Sequence, residues 1–491
     1  MRCEAWVVVK VQLGLLFHQI QNNSRVRWSL SSFIINELFL FIFFSSVAAA
    51  CCFLLVTPTN LFGFLGLILK GFSMSQTKEP HRILRQKKDH LPHDIVLNIL
   101  ANLPVKSVLR FRCVSKTWDS SITTSNFIST HLNLNLNNNN NNTTNNLAYL
   151  INNSIPFNSN IPIFIDGYDH KFNRISQYPI PSAFLLSNAH SVSSCNGLVC
   201  LTELRKTSPH IYLWNPSIRK LKRLPDLSPT KRDWLSTGFA YQSNTNDYKV
   251  VMISHMPAPK PNHHWGELGA DVYTLSSNSW RRVGMSLSHI FMVSPFNNWN
   301  TTFVSGALHW LGDVCKAAPY RMILSFDVNN DKFKEMALPD VQQLLPQCLM
   351  ADPNSLMVFK GKLAFITLGY LRSNHFNEDE YNDFMRSHTP HSSFIWVMGE
   401  YGVHESWSKL FFVRFENVVP VRFFGCTSRG ELLVIKKVYP VTNGGEKRYV
   451  VVSLDLETLH ENDLGFQKVP DIATTFVESL VLLDEATELS G

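Results

Sequence analysis

The side chains that most often carry chemistry are scattered along this chain without the spacings that chemistry requires. Four histidines lie in segments rich in Pro, Asn or Ser: His263, His264, His388 and His391. Their spacings do not match a metal-binding helix such as H-E-x-x-H. The nine cysteines form no C-x-x-C pair, which disfavours a zinc finger. We therefore predict neither a metal site nor a cofactor.

Motifs of the common enzyme classes are also missing from the sequence. There is no G-x-S-x-G elbow, no Walker loop, no kinase motif set and no G-x-G-x-x-G after a predicted strand. Four acids stand beside predicted turns, where we expect them to accept hydrogen bonds from the backbone: Asp247, Asp271, Asp327 and Asp455. The sequence favours a non-catalytic protein, with catalysis by side chains gathered from several loops as the alternative.

Composition describes a folded chain, because 45% of the 491 residues are hydrophobic and 17% are charged. The formal net charge of +7 is spread thinly and forms no long basic stripe, so we expect no nucleic-acid partner. Six cysteines have apolar or strand-like neighbours, as reduced core residues do: Cys113, Cys195, Cys200, Cys315, Cys348 and Cys426. We therefore expect the chain in the cytoplasm, the nucleus or both.

Residues 1–73 differ from the rest of the chain. Residues 38–56 carry no charge and have about the length of a membrane span, which is roughly 20 residues. We favour a working start at Met74, with the upstream part outside the native protein. The alternative is a signal anchor that holds the following body in the cytosol, in which case the chain contacts a membrane. A basic polar leader occupies residues 74–89.

Residues 91–118 have the pattern of short helices. Pro92 and Pro104 each stand where a first helical turn can begin, because the missing N–H costs nothing there. The pattern predicts one helix from about Pro92, a break at Asn102 and Leu103, a second helix from Pro104 and a third toward Trp118. Apolar residues recur at helical spacing on the first and second predicted helices. A segment this short cannot bury all of these side chains within itself. An exposed apolar helical surface indicates a protein partner.

This segment resembles the F-box, the trihelical motif that docks on the Skp-type adaptor of SCF ubiquitin ligases. Cys113, Ser115 and Lys116 also match the family pattern, whereas Asn98 and Asp119 depart from it. The resemblance implies adaptor contact by twelve residues: Leu91, Pro92, Ile95, Ile99, Leu100, Leu103, Pro104, Val105, Leu109, Arg110, Val114 and Trp118.

An Asn-rich stretch, residues 133–146, follows the F-box region at 90–132, and we expect it to be a disordered tether. Beyond it, two repeated patterns alternate. One is a turn followed by a G-x-L strand: CNGLVCL at 195–201, VSGALHWLG at 304–312, FKGKLAFIT at 359–367 and TSRGELLVI at 427–435. In each, glycine fits a hairpin turn with positive φ, and the alternating apolar residues fit a half-buried strand.

The second pattern is an aromatic strand, a polar turn and another apolar strand: WNPSIRKL at 214–221, YTLSSNSW at 273–280 and FDVNNDKF at 326–333. Looser copies occur at 396–407 and 454–466. The repeats recur about every 50 to 70 residues, as in irregular kelch-like propeller blades. We therefore predict, for residues 147–491, a propeller of about six blades. We expect LVLL at 480–483 to close it by pairing beside IPIFI at 161–165.

Residues 191–469 resemble the F-box-associated domain of plant F-box proteins, which binds the protein to be ubiquitylated. The fold class is thus α+β, a small trihelical F-box followed by an all-β propeller-like domain. The resemblance implies a substrate-recognition subunit whose adaptor connects to cullin and RING subunits. We expect its unidentified target to contact polar loops at 257–269 and 373–393. Two alternatives are a membrane-anchored interaction protein and a propeller with its own ligand-binding or catalytic site.

Overall fold

The computed structural model describes residues 92–140, 149–151, 164–169, 171–181, 189–203, 210–227, 233–255, 268–285, 291–293, 301–314, 320–339, 355–369, 391–415, 418–427, 429–438, 448–466 and 473–483. The predicted hydrophobic extension and basic leader lie outside these ranges, as do His263, His264, His388 and most of the two predicted target-contact loops. Within the described ranges, no helix has the length and apolar character needed to cross a bilayer.

Residues 92–140 form four helices: α1 (His93–Ala101), α2 (Val105–Phe111), α3 (Lys116–Ile122) and α4 (Ser125–Asn140). Pro92 and Pro104 directly precede α1 and α2, so the two predicted helix starts are confirmed. Ser115 caps α3, because its Oγ accepts a hydrogen bond from the Trp118 amide at 3.1 Å. The third helix therefore contains Trp118 near its start.

Helix α4 continues into the Asn-rich stretch, and the predicted tether is wrong as far as Asn140. Asparagine has a modest helix propensity, but tertiary packing overrides it here. Leu134 and Leu136 are partly buried against the same core as the other helices. The Asn135 side chain donates a hydrogen bond to the Glu478 carbonyl oxygen at 3.2 Å, which fixes this turn of the helix.

Apart from a short 3-10 helix at His404–Ser406, the regular structure in the rest of the described chain consists of strands. They are β1 (Tyr149–Ile151), β2 (Phe164–Tyr168), β3 (Arg174–Pro179), β4 (Ala189–Cys195), β5 (Leu198–Glu203), β6 (His210–Asn215), β7 (Lys220–Arg223), β8 (Asp233–Gln242), β9 (Asp247–His255), β10 (Leu268–Thr274), β11 (Ser279–Val283), β12 (Phe291–Val293), β13 (Thr302–Val304), β14 (Ala307–Val314), β15 (Tyr320–Asp327), β16 (Lys332–Met336), β17 (Ser355–Phe359), β18 (Lys362–Gly369), β19 (His391–Met398), β20 (Trp407–Phe415), β21 (Val418–Cys426), β22 (Leu432–Val438), β23 (Arg448–Leu454), β24 (Glu461–Asp463) and β25 (Ala473–Thr475).

These strands form six antiparallel sheets, the blades of a propeller. Blade 1 has the order β25-β1-β2-β3, blade 2 holds β4–β7, blade 3 β8–β11, blade 4 β12–β16, blade 5 β17–β20 and blade 6 β21–β24. The first strands of successive blades contact one another, with β25 beside β4, β4 beside β8 and β17 beside β21. The predicted all-β propeller of about six blades is confirmed.

The repeated sequence patterns correspond to hairpins inside the blades. Asn196 and Gly197 both have positive φ, 49° and 83°, as a two-residue type I′ turn requires. The aromatic pattern places its two large residues opposite each other across a hairpin, and the Cα partners are Trp214 with Leu221, Tyr273 with Trp280 and Phe326 with Phe333. Each such pair covers one face of its blade.

Closure of the ring uses a C-terminal strand, but not the predicted one. Strand β25, residues 473–475, pairs with β1 and takes the first position in blade 1. Residues 480–483 form no strand. Their apolar side chains are buried in a cluster that contains residues of α1–α4 and of blades 2 and 3. An apolar run of four residues satisfies either environment, so the pattern alone could not choose between them.

Six apolar clusters hold the ring together, one at each junction between neighbouring blades. Polar ties cross some of the junctions. The buried Lys249 of blade 3 lies 2.8 Å from an Asp331 carboxylate oxygen of blade 4. The buried His309 of blade 4 hydrogen-bonds the Tyr401 hydroxyl of blade 5 at 2.8 Å. Burial covers every inner blade face, as radial stacking requires.

Candidate functional site: an exposed apolar surface on the helices

Helix α1 presents two isoleucines outward, one helical turn apart. Ile95 is 45% exposed and Ile99 is half-buried, while Pro92 before them is exposed. Leu91 lies outside the described residues. Side chains four positions apart share a helix face, so Ile95 and Ile99 form one continuous apolar strip.

The other predicted contact residues fall into three groups, which are exposed, half-buried and buried. Pro104 and Arg110 are exposed and Val114 is 57% exposed, whereas Leu103, Leu109 and Trp118 are half-buried. Leu100 and Val105 instead lie in the core, 2% and 0% exposed. These two residues hold the helices together and offer no surface to a partner.

Packing separates the outward side chains from the inward ones. Val96, Leu97, Leu103, Leu109, Phe111 and Trp118 pack against the core cluster of the helices. Ile95, Ile99 and Val114 do not belong to that cluster or to its partly buried neighbours, among the residues that the structure describes. We call these three residues the outward surface. Its apolar area stays in water unless another molecule covers it.

The two departures from the F-box pattern have different surroundings. Asn98 is exposed on α1, beside the outward surface in sequence. Asp119 accepts a hydrogen bond from Arg112 Nε at 2.6 Å, and both side chains are partly exposed. The charge of Asp119 is therefore partly compensated within the chain.

A chain of hydrogen bonds starts at the break between α1 and α2 and passes through α4. His131 of α4 donates from Nε2 to the Leu103 carbonyl oxygen at 2.9 Å, and its Nδ1 accepts from Asn135 Nδ2 at 3.4 Å. Burial lowers the pKa of His131, so the ring is neutral and each nitrogen has one role. Asn135 Nδ2 also donates to the Glu478 carbonyl oxygen. The break between α1 and α2 is thereby connected to the C-terminal end of the described chain.

Residues 476–483, which we call the C-terminal segment, lie between the helices and the propeller. Asn215 is fully buried in blade 2, and its Nδ2 donates to the Ser479 and Val481 carbonyl oxygens at 3.0 and 2.8 Å. A Cβ at Gly197 would stand 2.7 Å from the Val477 carbonyl oxygen. Sequence reasoning missed this role. The Asn–Gly turn at 196–197 was visible, but nothing in it indicated a distant segment packed against it.

The propeller exposes a second apolar feature on strand β20. Leu410 and Phe412 are 49% and 51% exposed, and the Phe412 ring lies 5.1 Å from that of Phe394. Lys409 Nζ stands 4.4 Å above the Phe394 ring, a cation–π contact. This strand is the last of blade 5, and β19 is its only hydrogen-bonded neighbour among the described strands.

The cysteine and aspartate side chains that could carry chemistry have structural roles instead. Burial raises the pKa of the Cys195 and Cys426 thiols to about 12, which suppresses the reactive thiolate. Asp247, Asp327 and Asp455 accept hydrogen bonds from turn backbone, as expected. Asp271 differs, because it pairs with Arg282 at 2.8 Å. The described residues contain no cluster of three or more His, Cys, Asp or Glu suited to a metal ion.

Comparisons with known proteins place both regions in families. Residues 89–130 match the F-box domain, and residues 165–484 match the F-box associated beta propeller domain. Three relatives from Arabidopsis thaliana are similar in sequence. F-box protein At3g07870 is 25% identical over 65% of this chain and 72% of its own length. F-box/kelch-repeat protein At3g23880 is 26% identical over 65% and 79%, and F-box protein CPR1 is 26% identical over 66% and 73%.

Proposed function

The chain belongs to the plant F-box proteins with an F-box-associated β-propeller domain, and we propose that it selects targets for an SCF-type ubiquitin ligase. In this proposal α1–α3 bind the Skp-type adaptor, which links the chain to cullin and RING subunits. The propeller binds a target protein. The chain contributes proximity, because holding the target beside the ubiquitin-carrying subunits raises the effective concentration of its lysines.

The observation that carries the proposal is the outward surface. Ile95, Ile99 and Val114 are apolar, exposed or half-exposed, and excluded from the core to which their helices otherwise belong. Adaptor contact would bury them, with Pro92, Pro104 and Arg110 at the rim. Leu100 and Val105 support the surface from behind. We therefore remove Leu100 and Val105 from the proposed contact set, because their side chains are buried.

A binding measurement on the full chain tests adaptor contact. Ile95→Glu with Ile99→Glu places two charges in the proposed contact and should weaken adaptor binding by about thirtyfold or more in calorimetric titration. Phe412→Glu is the matched control, because Phe412 is as exposed as Ile95 but lies on the propeller. Its affinity should equal that of the parent. Equal binding by both variants, or equal loss, would contradict the proposal.

We infer that the chain has no catalytic role of its own and acts in the cytoplasm or nucleus. The free cysteines support this, because burial raises the pKa values of Cys195, Cys200 and Cys426 and leaves no activated nucleophile among those three. Cys113 is exposed, so the expected core position is wrong for that residue. Affinity purification of the native protein with mass spectrometry should recover the adaptor and candidate targets together. Peptides from upstream of Met74, or a carbonate-resistant membrane fraction, would instead favour the anchored alternative.

A further inference from the structure

The C-terminal segment is buried although it follows the strand that closes the ring. Phe476, Val477, Ser479 and residues 480–483 each have less than a tenth of their surface exposed. Phe476 packs with blades 1 and 2, whereas Val477 and residues 480–483 belong to the cluster shared with α1–α4. Ring closure is already complete at Thr475. The burial of seven of the next eight residues therefore serves something other than the propeller's own sheet.

Blade 2 holds this segment by its backbone. Asn215 Nδ2 donates to two carbonyl oxygens and to Ser479 Oγ, and Asn215 Oδ1 accepts from the Ser217 amide at 3.0 Å. All four interactions are in the interior, where an unpaired amide or carbonyl is costly. Gly197 permits the approach, because any side chain there would meet the segment's backbone. The propeller thus has a receptor site for its own C-terminal residues.

The helices hold the same segment from the other side. Glu478 receives the Asn135 hydrogen bond on its carbonyl oxygen, and its carboxylate accepts from the Tyr178 hydroxyl of blade 1 at 3.0 Å. Asn135 is in turn fixed by His131, whose Nε2 reaches the Leu103 carbonyl oxygen between α1 and α2. A single residue, Glu478, therefore joins helix α4 to the outer strand of a blade.

We propose that the C-terminal segment is a positioning element that locks the F-box helices in one orientation on the propeller. The inference rests on the proposed function, in which the helices carry the adaptor and the propeller carries the target. A fixed angle between them sets the distance from target lysines to the ubiquitin-carrying subunits. Asn135 on the helices, Asn215 on blade 2 and Gly197 at the point of closest approach are positioning residues.

A distance measurement on the full chain tests the lock. Spin labels attached to unnatural residues at the exposed positions Asn126 and Lys332 avoid labelling the exposed Cys113. The parent should give one narrow distribution of the distance between the two labels in pulsed electron paramagnetic resonance. Asn135→Leu, which removes the contact to Glu478, should broaden it by about twofold or more, because more orientations become populated. Asn133→Leu is the control, with the same change at an exposed position of the same helix.

A truncation after Thr475 gives the stronger test, since it removes the segment and keeps β25. It should yield a folded propeller with a broad distance distribution. A narrow, parent-like distribution in a folded truncated chain would overturn the inference. If the truncated chain does not fold, the comparison of Asn135→Leu with Asn133→Leu decides, and identical distributions for that pair would overturn the inference equally.

Adaptor titrations on the same samples separate this inference from the proposed function. Asn135→Leu leaves the outward surface intact, so its adaptor affinity should stay within about twofold of the parent. Failure of the parent to bind adaptor would defeat the proposed function, while the distance measurement, made without adaptor, would still judge the lock. Ubiquitin transfer to a lysine-bearing peptide inserted at the exposed turn 243–246 should slow in Asn135→Leu despite unchanged adaptor affinity.

Discussion

The propeller and the helical region manage apolar surface in opposite ways. In the propeller, each blade covers the next, and five of the six apolar clusters contain no residue of the helices. Residues 92–140 do not cover all of their own apolar surface. Their buried residues share a cluster with blades 2 and 3 and the C-terminal segment, and Ile95, Ile99 and Val114 remain outside it. The contrast indicates a propeller that covers most of its own apolar surface and carries a helical region made for binding.

The largest effect should follow from opening the ring. Deleting residues 473–491 removes β25, the first strand of blade 1, and exposes the edges of β1 and β4 that it covers. We expect loss of the cooperative thermal transition in circular dichroism. An unchanged melting curve would show that the ring does not depend on this closure and would remove one side of the comparison.

The next effect concerns a buried charge between blades. Asp331→Ala leaves Lys249 without its carboxylate partner in a site where only 4% of its side chain is exposed, and should cost about 3 to 5 kcal/mol. The control is Asp226→Ala, which breaks a pair with Arg223 that is about half exposed on both sides and should cost less than about 1 kcal/mol. Urea denaturation measures both, and similar losses would refute the assignment of Lys249 as a structural charge.

Two isoleucines of the helices, one buried and one on the outward surface, should differ in their effect on stability. Ile122→Ala empties a fully buried site and should lower the free energy of unfolding by about 2 to 5 kcal/mol. Ile95→Ala removes the same atoms from the outward surface and should cost under about 1 kcal/mol, because little packing is lost. Chemical denaturation distinguishes the two. Equal destabilisation would mean that Ile95 is a core residue and is not reserved for a partner.

A pH-dependent effect should appear on acidification. Burial lowers the pKa of His309 from 6.5 to about 4, so the unfolded chain binds a proton at higher pH than the folded one. The contribution of His309 to the free energy of unfolding is therefore full above pH 6.5 and is lost as the pH falls toward 4. His309→Gln should flatten stability over this window in denaturation at successive pH values. An unaltered slope would exclude His309 as the cause.

Local chemistry explains why much of the fold was predictable. The prolines before α1 and α2, the positive-φ turn at 196–197 and the cross-strand pair of Trp214 with Leu221 act within a few residues of sequence. Each has few physically acceptable conformations, so its pattern indicates one element. The outward surface was also partly visible, because Ile95 and Ile99 stand at helical spacing and were predicted as contacts.

The remaining features depend on partners distant in sequence. Leu100 and Val105 have the same apolar character as Ile95, and only the arrangement of four helices shows that they face inward. The helical course of α4 through Asn135 depends on Glu478, far along the chain. Residues 480–483 were apolar enough for a strand but were recruited to the helices. No local rule specifies these long-range choices.

Hydrogen exchange on the full chain, with and without the Skp-type adaptor, would show whether the helices bind the adaptor, because it locates the contact without any substitution. We expect slower exchange of backbone amides at residues 93–99 and 110–118, around the outward surface, and unchanged exchange on strand β20 of the propeller. Protection confined to the propeller, or no protection anywhere at saturating adaptor, would contradict the claim that the helices form the adaptor-binding surface.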